Sequence, residues 1–147
     1  MGSAKQLTVP GRYDQISAIC DFVAQGAKKA GLDEDTAFHV QLACDEACTN
    51  IIEHAYGGES EGEIAVSWQV NRQTLTITLK DRGRPFNPDS VESPDIPQNP
   101  DKIDQLKIGG LGLHFMRRLM DKVTFSFDTN RGNTLIMVKH IKPEEAT

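Results

Sequence analysis

Hydrophobic residues along this chain recur with two periods, and these periods predict its secondary structure. Alternation of apolar and polar residues predicts strands at 5–9, 64–70, 75–79, 123–127 and 134–141. Apolar residues at every third or fourth position predict helices at 16–30, 33–55 and 113–120. Each strand would bury one face, so the pattern predicts a two-layer α/β (α+β) sandwich. In it, helices cover one face of a mixed, mostly antiparallel sheet.

The second predicted helix carries a continuous apolar stripe and a face rich in polar residues. We expect Glu46 and Asn50 to lie one turn apart on that polar face. A carboxylate can orient or deprotonate an attacking hydroxyl, and an amide oxygen is a suitable ligand for a Mg²⁺ ion that also holds phosphate. The alternative is that both are solvated surface residues. The stripe consists of Val40, Ala43, Cys44, Ala47, Cys48, Ile51, Ile52 and Ala55.

Asp81 closes the strand that begins at 75 and is followed by Arg82-Gly83. A carboxylate at a strand end can accept a hydrogen bond from an exocyclic amine such as that of adenine, and a glycine lets a flat ring approach the backbone. The alternative is an ordinary turn that ends a strand.

Glycines mark two further places with possible ligand chemistry. Gly109-Gly110-Leu111-Gly112 precedes a helical pattern, so its backbone N–H groups and the helix end suit phosphate oxygens. A flexible hinge is the alternative. Gly132-Asn133-Thr134 leads from a turn into the last strand, although a hairpin alone would explain its glycine. Ahead of both places, residues 84–108 lack periodicity and hold five of the seven prolines, which predicts a lid.

Composition narrows the class of protein. The length of 147 residues suits one domain over 1–147. The net charge is −5, and the sequence has no block of basic residues that would favour binding to nucleic acid or to a membrane surface. The sequence shows neither an apolar run long enough to predict a membrane span nor the pattern of a secretory leader. We therefore expect a cytoplasmic protein. Cys20, Cys44 and Cys48 are expected to be reduced thiols rather than zinc ligands, because no partner ligands occur at suitable spacing.

Taken in order, these four motifs resemble the GHKL ATPase superfamily. Within it, Asp45-Glu46-Ala47-Cys48-Thr49-Asn50 and Gly109-Gly110-Leu111-Gly112-Leu113 look like the anti-sigma-factor serine/threonine kinases of bacteria. The resemblance covers about residues 5–142. One departure is Pro85, which stands where the superfamily usually has the last glycine of Asp-x-Gly-x-Gly.

The resemblance implies a function and a set of site residues. It implies a homodimer that sequesters a sigma factor and uses ATP and Mg²⁺ to phosphorylate an anti-anti-sigma protein on serine. Two other classes stay open, namely the catalytic domain of a histidine kinase and a binding module without catalysis. The implied roles are Glu46 as general base, Asn50 as Mg²⁺ ligand, Asp81 and Gly83 at adenine, Gly110 and Gly112 at phosphates, and Thr134 supporting the adenine end.

Overall fold

A computed structural model describes residues 5–85 and 116–141 of the chain. The strands are β1 (Lys5–Pro10), β2 (Glu63–Val70), β3 (Thr74–Asp81), β4 (Lys122–Asp128) and β5 (Gly132–His140). The helices are α1 (Ile16–Lys29), preceded by a 3₁₀ turn (Tyr13–Gln15), and α2 (Glu34–Asn50), continued by a π-helical turn (Ile51–Ala55). Residues 116–119 form a further helical turn.

The five described strands form one sheet in the order β1-β2-β3-β5-β4. Every neighbouring pair of these strands is antiparallel, so the predicted sandwich is confirmed, while the described strands contain no parallel pair. A tight turn joins β2 and β3 as a hairpin. There the side-chain oxygen of Asn71 accepts from Gln73 N at 2.9 Å and Thr74 N at 2.8 Å, which fixes the register of the two strands.

One face of the sheet packs against α1 and α2 and holds the core. In the register, Trp68 of β2 stands opposite Ile77 of β3, which stands opposite Met137 of β5, and all three are buried. At one end of the sheet, Asp81 and Asn133 occupy the inward-facing positions of β3 and β5. They stand directly opposite each other. Hydrophobic residues therefore give way to polar ones at this end of the core.

Helix α2 begins at an Asp33 cap, whose carboxylate accepts from Thr36 N at 2.7 Å. The predicted apolar stripe is buried along the whole helix. The expectation for Asn50 is wrong, however, because this residue is only 3% exposed. Ala43, Ala47 and Asn50 are spaced by four and three residues, so they share the inward face.

The three cysteines are free thiols, as expected, with Cys44 and Cys48 buried and Cys20 half-buried. Within residues 5–85 and 116–141, no group of three or more His, Cys, Asp or Glu side chains is placed to hold a metal ion. None of the described helices has the length and apolar character needed to cross a membrane.

Replacing Gly26 with alanine should destabilise the fold. A Cβ at this position of α1 would lie 2.7 Å from Cδ2 of the buried Trp68 indole. Alanine normally favours a helix over glycine by roughly 1 kcal/mol, but overpacking a core costs about 1–3 kcal/mol. We expect Gly26→Ala to lower the free energy of unfolding in urea by about 1 kcal/mol, the net of these opposing effects. The control Ser17→Ala, on the exposed side of α1, should not lower it. Greater stability of Gly26→Ala would contradict this packing.

Candidate functional site

A cleft opens where the polar end of the sheet meets the end of α2. It brings together Asn50 of α2, Asp81 of β3 and Thr134 of β5, three of the residues selected from the sequence. The lining residues are Ala47, Asn50, Ile51, Ala55, Asp81, Met116, Phe125, Phe127, Asn133, Thr134 and Leu135. The cleft therefore combines apolar walls with a few polar groups, which is the usual make-up of a small-molecule site.

Asp81 presents a buried carboxylate to this cleft and is 7% exposed. Its Oδ1 accepts from Gly83 N at 2.9 Å and from Asn133 Nδ2 at 2.8 Å. Burial raises the pKa of the carboxyl above its ordinary value, and these two hydrogen bonds oppose that rise. Among the described residues no group donates to Oδ2. That oxygen is therefore an available acceptor for a ligand amine.

Asn133 is a site residue that the sequence reasoning did not select. Its Nδ2 donates to Asp81 Oδ1 and also faces Gly83 O at 3.0 Å and Arg84 O at 3.2 Å. A signal was available, because Asn133 occupies an inward position two residues before Leu135 in an alternating strand. A polar residue at such a position needs partners in the core.

The amide of Asn50 is buried with both polar atoms unpaired. Neither its Oδ1 nor its Nδ2 has a hydrogen-bond partner within the described parts of the chain. Leaving such a group unsatisfied costs about 1–3 kcal/mol, so a partner for it is expected from a ligand. The π-helical turn that begins at the next residue is a feature often found at functional sites.

Glu46 lies one turn before Asn50 and is half-buried, outside the residues that line the cleft. Burial raises the pKa of its carboxyl, and the neighbouring charges of Asp45 and Glu53 raise it further. A carboxylate with a raised pKa is a better proton acceptor than an exposed one.

The two glycines at the sheet end are required by close backbone packing. A Cβ on Gly83 would lie 2.5 Å from the carbonyl of Ala55, and one on Gly132 would lie 2.4 Å from Asp81 O. Gly132 also has a φ of +90°. Arg84 N donates to Ala55 O at 2.8 Å, so the chain after β3 is tied to the π-helical turn. Gly83 thus packs beside the cleft without lining it.

Several predicted features fall outside the described residues. Gly110 and Gly112 are among them, as is the predicted lid apart from Arg84 and Pro85. Thr134, by contrast, is placed at the cleft.

The fold and this cleft define a class of protein. The catalytic domain of histidine kinase ThkA has the same fold, with a TM-score of 0.54 at 15% identity over 97% of this chain and 99% of that one. The family model for the histidine kinase-like ATPase domain matches residues 9–139, and the chain belongs to that family.

Among curated relatives, the chain is similar to the serine-protein kinase RsbW of several Bacillus species. It is 31% identical to that of Bacillus subtilis (strain 168) over 140 residues, covering 95% of this chain and 86% of the relative. It is 32% identical to that of Bacillus licheniformis with the same coverage. The similarity therefore extends over nearly all of both chains.

The raised pKa of Glu46 predicts a pH-dependent effect of Glu46→Gln on stability. A carboxyl whose pKa is higher in the folded state stabilises the fold below its unfolded value of 4.5, and this contribution is lost as pH rises through the folded value. Since Gln does not ionise, we expect Glu46→Gln to be more stable than the wild type at pH 7, by an amount that shrinks towards pH 4. Urea unfolding at both pH values measures this difference.

Glu61→Gln supplies the control for that comparison, because Glu61 is an exposed loop carboxylate. Its effect should stay within about 0.5 kcal/mol at both pH values. A Glu46→Gln effect that does not depend on pH would contradict the assigned environment of Glu46.

Proposed function

We propose that this protein is an ATP-dependent serine kinase that phosphorylates a partner protein. The observation that carries the proposal is that Asn50 and Asp81 line one cleft in a chain 31% identical to serine-protein kinases over 95% of its length. A buried acceptor at one end of the cleft and an unpaired amide on α2 suit the two ends of a nucleotide.

In this proposal the adenine ring enters the cleft with its 6-amino group towards Asp81. The available Oδ2 of Asp81 accepts from that amine, while Thr134 supports the same end of the ring. Gly110 and Gly112 contact the phosphates, and residues 84–108 act as the lid over them. The buried position of Asp81 supports this orientation, because a charged acceptor discriminates well where water is excluded.

Asn50 is proposed as a ligand of Mg²⁺. The site fits this ion because Asn50 Oδ1 is a hard oxygen with no competing hydrogen bond in the described residues. Mg²⁺ typically takes few protein ligands and completes its shell with phosphate oxygens and water, so a single amide oxygen from α2 is compatible with this ion. When bound, the ion would neutralise phosphate charge during transfer.

Glu46 is proposed as the general base for the substrate serine. Its carboxylate takes the hydroxyl proton as the serine oxygen bonds to the γ-phosphorus. The bond from that phosphorus to the bridging oxygen breaks, and ADP leaves with the bond electrons. The raised pKa of Glu46 supports the role, because proton transfer is most effective when the pKa of the base approaches the working pH.

The partners proposed for this kinase follow from the family. They are a sigma factor, which the protein sequesters, and an anti-anti-sigma protein, which carries the substrate serine. We also propose a single domain over residues 1–147, a homodimer and a cytoplasmic location. The net charge of −5 supports partners other than nucleic acid or an anionic membrane.

Asn50→Ala should remove the Mg²⁺-dependent part of ATP affinity, because Asn50 Oδ1 is the proposed protein ligand on this helix. Calorimetry with ATP, with and without Mg²⁺, measures that part directly. Asn130→Ala is a matched control, since Asn130 lies in the exposed turn before β5. Equal Mg²⁺ dependence in Asn50→Ala and the wild type would rule out the metal role.

Glu46→Gln should lower phosphotransfer by about 10²-fold or more while leaving nucleotide affinity nearly unchanged, the usual result of removing a general base. The measurement is transfer of labelled phosphate from Mg-ATP to a candidate anti-anti-sigma protein. Glu61→Gln is the control, because Glu61 is an exposed loop carboxylate outside α2.

The assay also separates the remaining classes of protein. Acid-stable phosphoserine on the partner supports the proposed kinase, whereas acid-labile phosphohistidine indicates a histidine kinase. ATP binding without transfer to any partner indicates a binding module. Wild-type transfer by Glu46→Gln would disprove the role of Glu46 as a base.

A further inference from the structure

The orientation of the Asn133 amide is fixed by its surroundings. Three oxygens surround one end of the amide, namely Asp81 Oδ1 at 2.8 Å, Gly83 O at 3.0 Å and Arg84 O at 3.2 Å. Only an N–H₂ group is stable against three acceptors, so this end is Nδ2. The opposite end is therefore the acceptor Oδ1.

That acceptor has no partner in the described structure. Asn133 is 5% exposed, its Oδ1 is buried, and no donor among residues 5–85 and 116–141 reaches it. The residue lines the cleft beside Asp81. A buried acceptor is normally satisfied, so a donor for Asn133 Oδ1 is expected from a ligand of the cleft that this residue lines.

We propose that Asn133 is a specificity-determining residue that reads the purine together with Asp81. Asn133 Oδ1 accepts one hydrogen of the 6-amino group, directly or through one water, and Asp81 Oδ2 accepts the other. This inference rests on the proposed function, because it takes the cleft to be the adenine site. It assigns to Asn133 a contact with the nucleotide in addition to its hydrogen bond with Asp81.

The locked orientation of Asn133 gives the site a preference for adenine. Guanine has a carbonyl in place of the 6-amino group, so it would bring an acceptor against two acceptors. An asparagine that was free to rotate would turn its Nδ2 towards that carbonyl. Asn133 would lose its contacts with Asp81, Gly83 and Arg84 by doing so, and the site therefore cannot adapt to guanine cheaply.

Calorimetric affinities for ATP and purine riboside triphosphate, which lacks the 6-amino group, test the proposal. The ratio of the two affinities is measured in the wild type, Asn133→Ala, Asp81→Ala and the double variant. The wild type should favour ATP by about 30-fold, the scale of a hydrogen bond to a charged acceptor plus one to a neutral acceptor. In the Asp81→Ala background, Asn133→Ala should lower the ratio by a further factor of about five, the scale of one neutral acceptor.

The background variant separates direct contact from positioning. If Asn133 acts only by orienting Asp81, its removal from Asp81→Ala leaves the ratio unchanged, because no side chain remains at 81 to be oriented, and that result would overturn the proposal. Wild-type protein that does not bind ATP would instead disprove the proposed function. ATP binding with equal affinity for purine riboside triphosphate would place the purine elsewhere and would also reject the role of Asn133.

Two further variants serve as a matched control and as a replacement should Asn133→Ala misfold. Asn130→Ala, the exposed asparagine of the adjacent turn, should keep the wild-type ratio. If Asn133→Ala fails to unfold cooperatively, Asn133→Ser replaces it, because the shorter hydroxyl keeps a polar group but does not span from Asp81 to the ligand. A wild-type ratio in a folded Asn133→Ser protein would contradict the proposal.

Discussion

The candidate site depends on a carboxylate that is buried because of strand register. Asp81 occupies the inward position that follows Leu75, Ile77 and Leu79, so β3 carries its charge into the edge of the core. The charge is tolerated because Gly83 N and Asn133 Nδ2 both donate to Oδ1. One oxygen of this cleft-lining residue is thereby held in place, while the other accepts no hydrogen bond from the described residues. A change of one residue in register would turn Asp81 to the opposite face of the sheet and remove the site.

Helix α2 meets this carboxylate through its own periodicity. Ala47 and Asn50 share the inward face, and the small alanine leaves room beside the amide. The π-helical turn then carries the chain to Ala55, where Gly83 and Arg84 pack against it. Backbone contacts therefore hold the end of β3 against the end of the π-helical turn. They keep the polar groups of the cleft in fixed relative positions.

Alternation and helical spacing were enough to predict the described strands and helices, because both periods are set by burial of one face. The site was predicted less completely. The polar amide of Asn50 predicts a position on the solvent side of α2, whereas its helical phase with Ala43 and Ala47 places it on the inward side. Asn133 was read as part of a hairpin because its partners, Asp81, Gly83 and Arg84, come from about 50 residues earlier in the chain. Such contacts are set by strand pairing, which a single local motif does not reveal.

The most direct test of the account is a crystal structure of the protein with Mg²⁺ and a non-hydrolysable ATP analogue. The account predicts that the 6-amino nitrogen of adenine lies roughly 2.7–3.2 Å from a carboxylate oxygen of Asp81. It also predicts that the metal-bearing phosphates lie at Asn50. A purine bound away from Asp81, or a cleft that stays empty while nucleotide binds elsewhere, would contradict it.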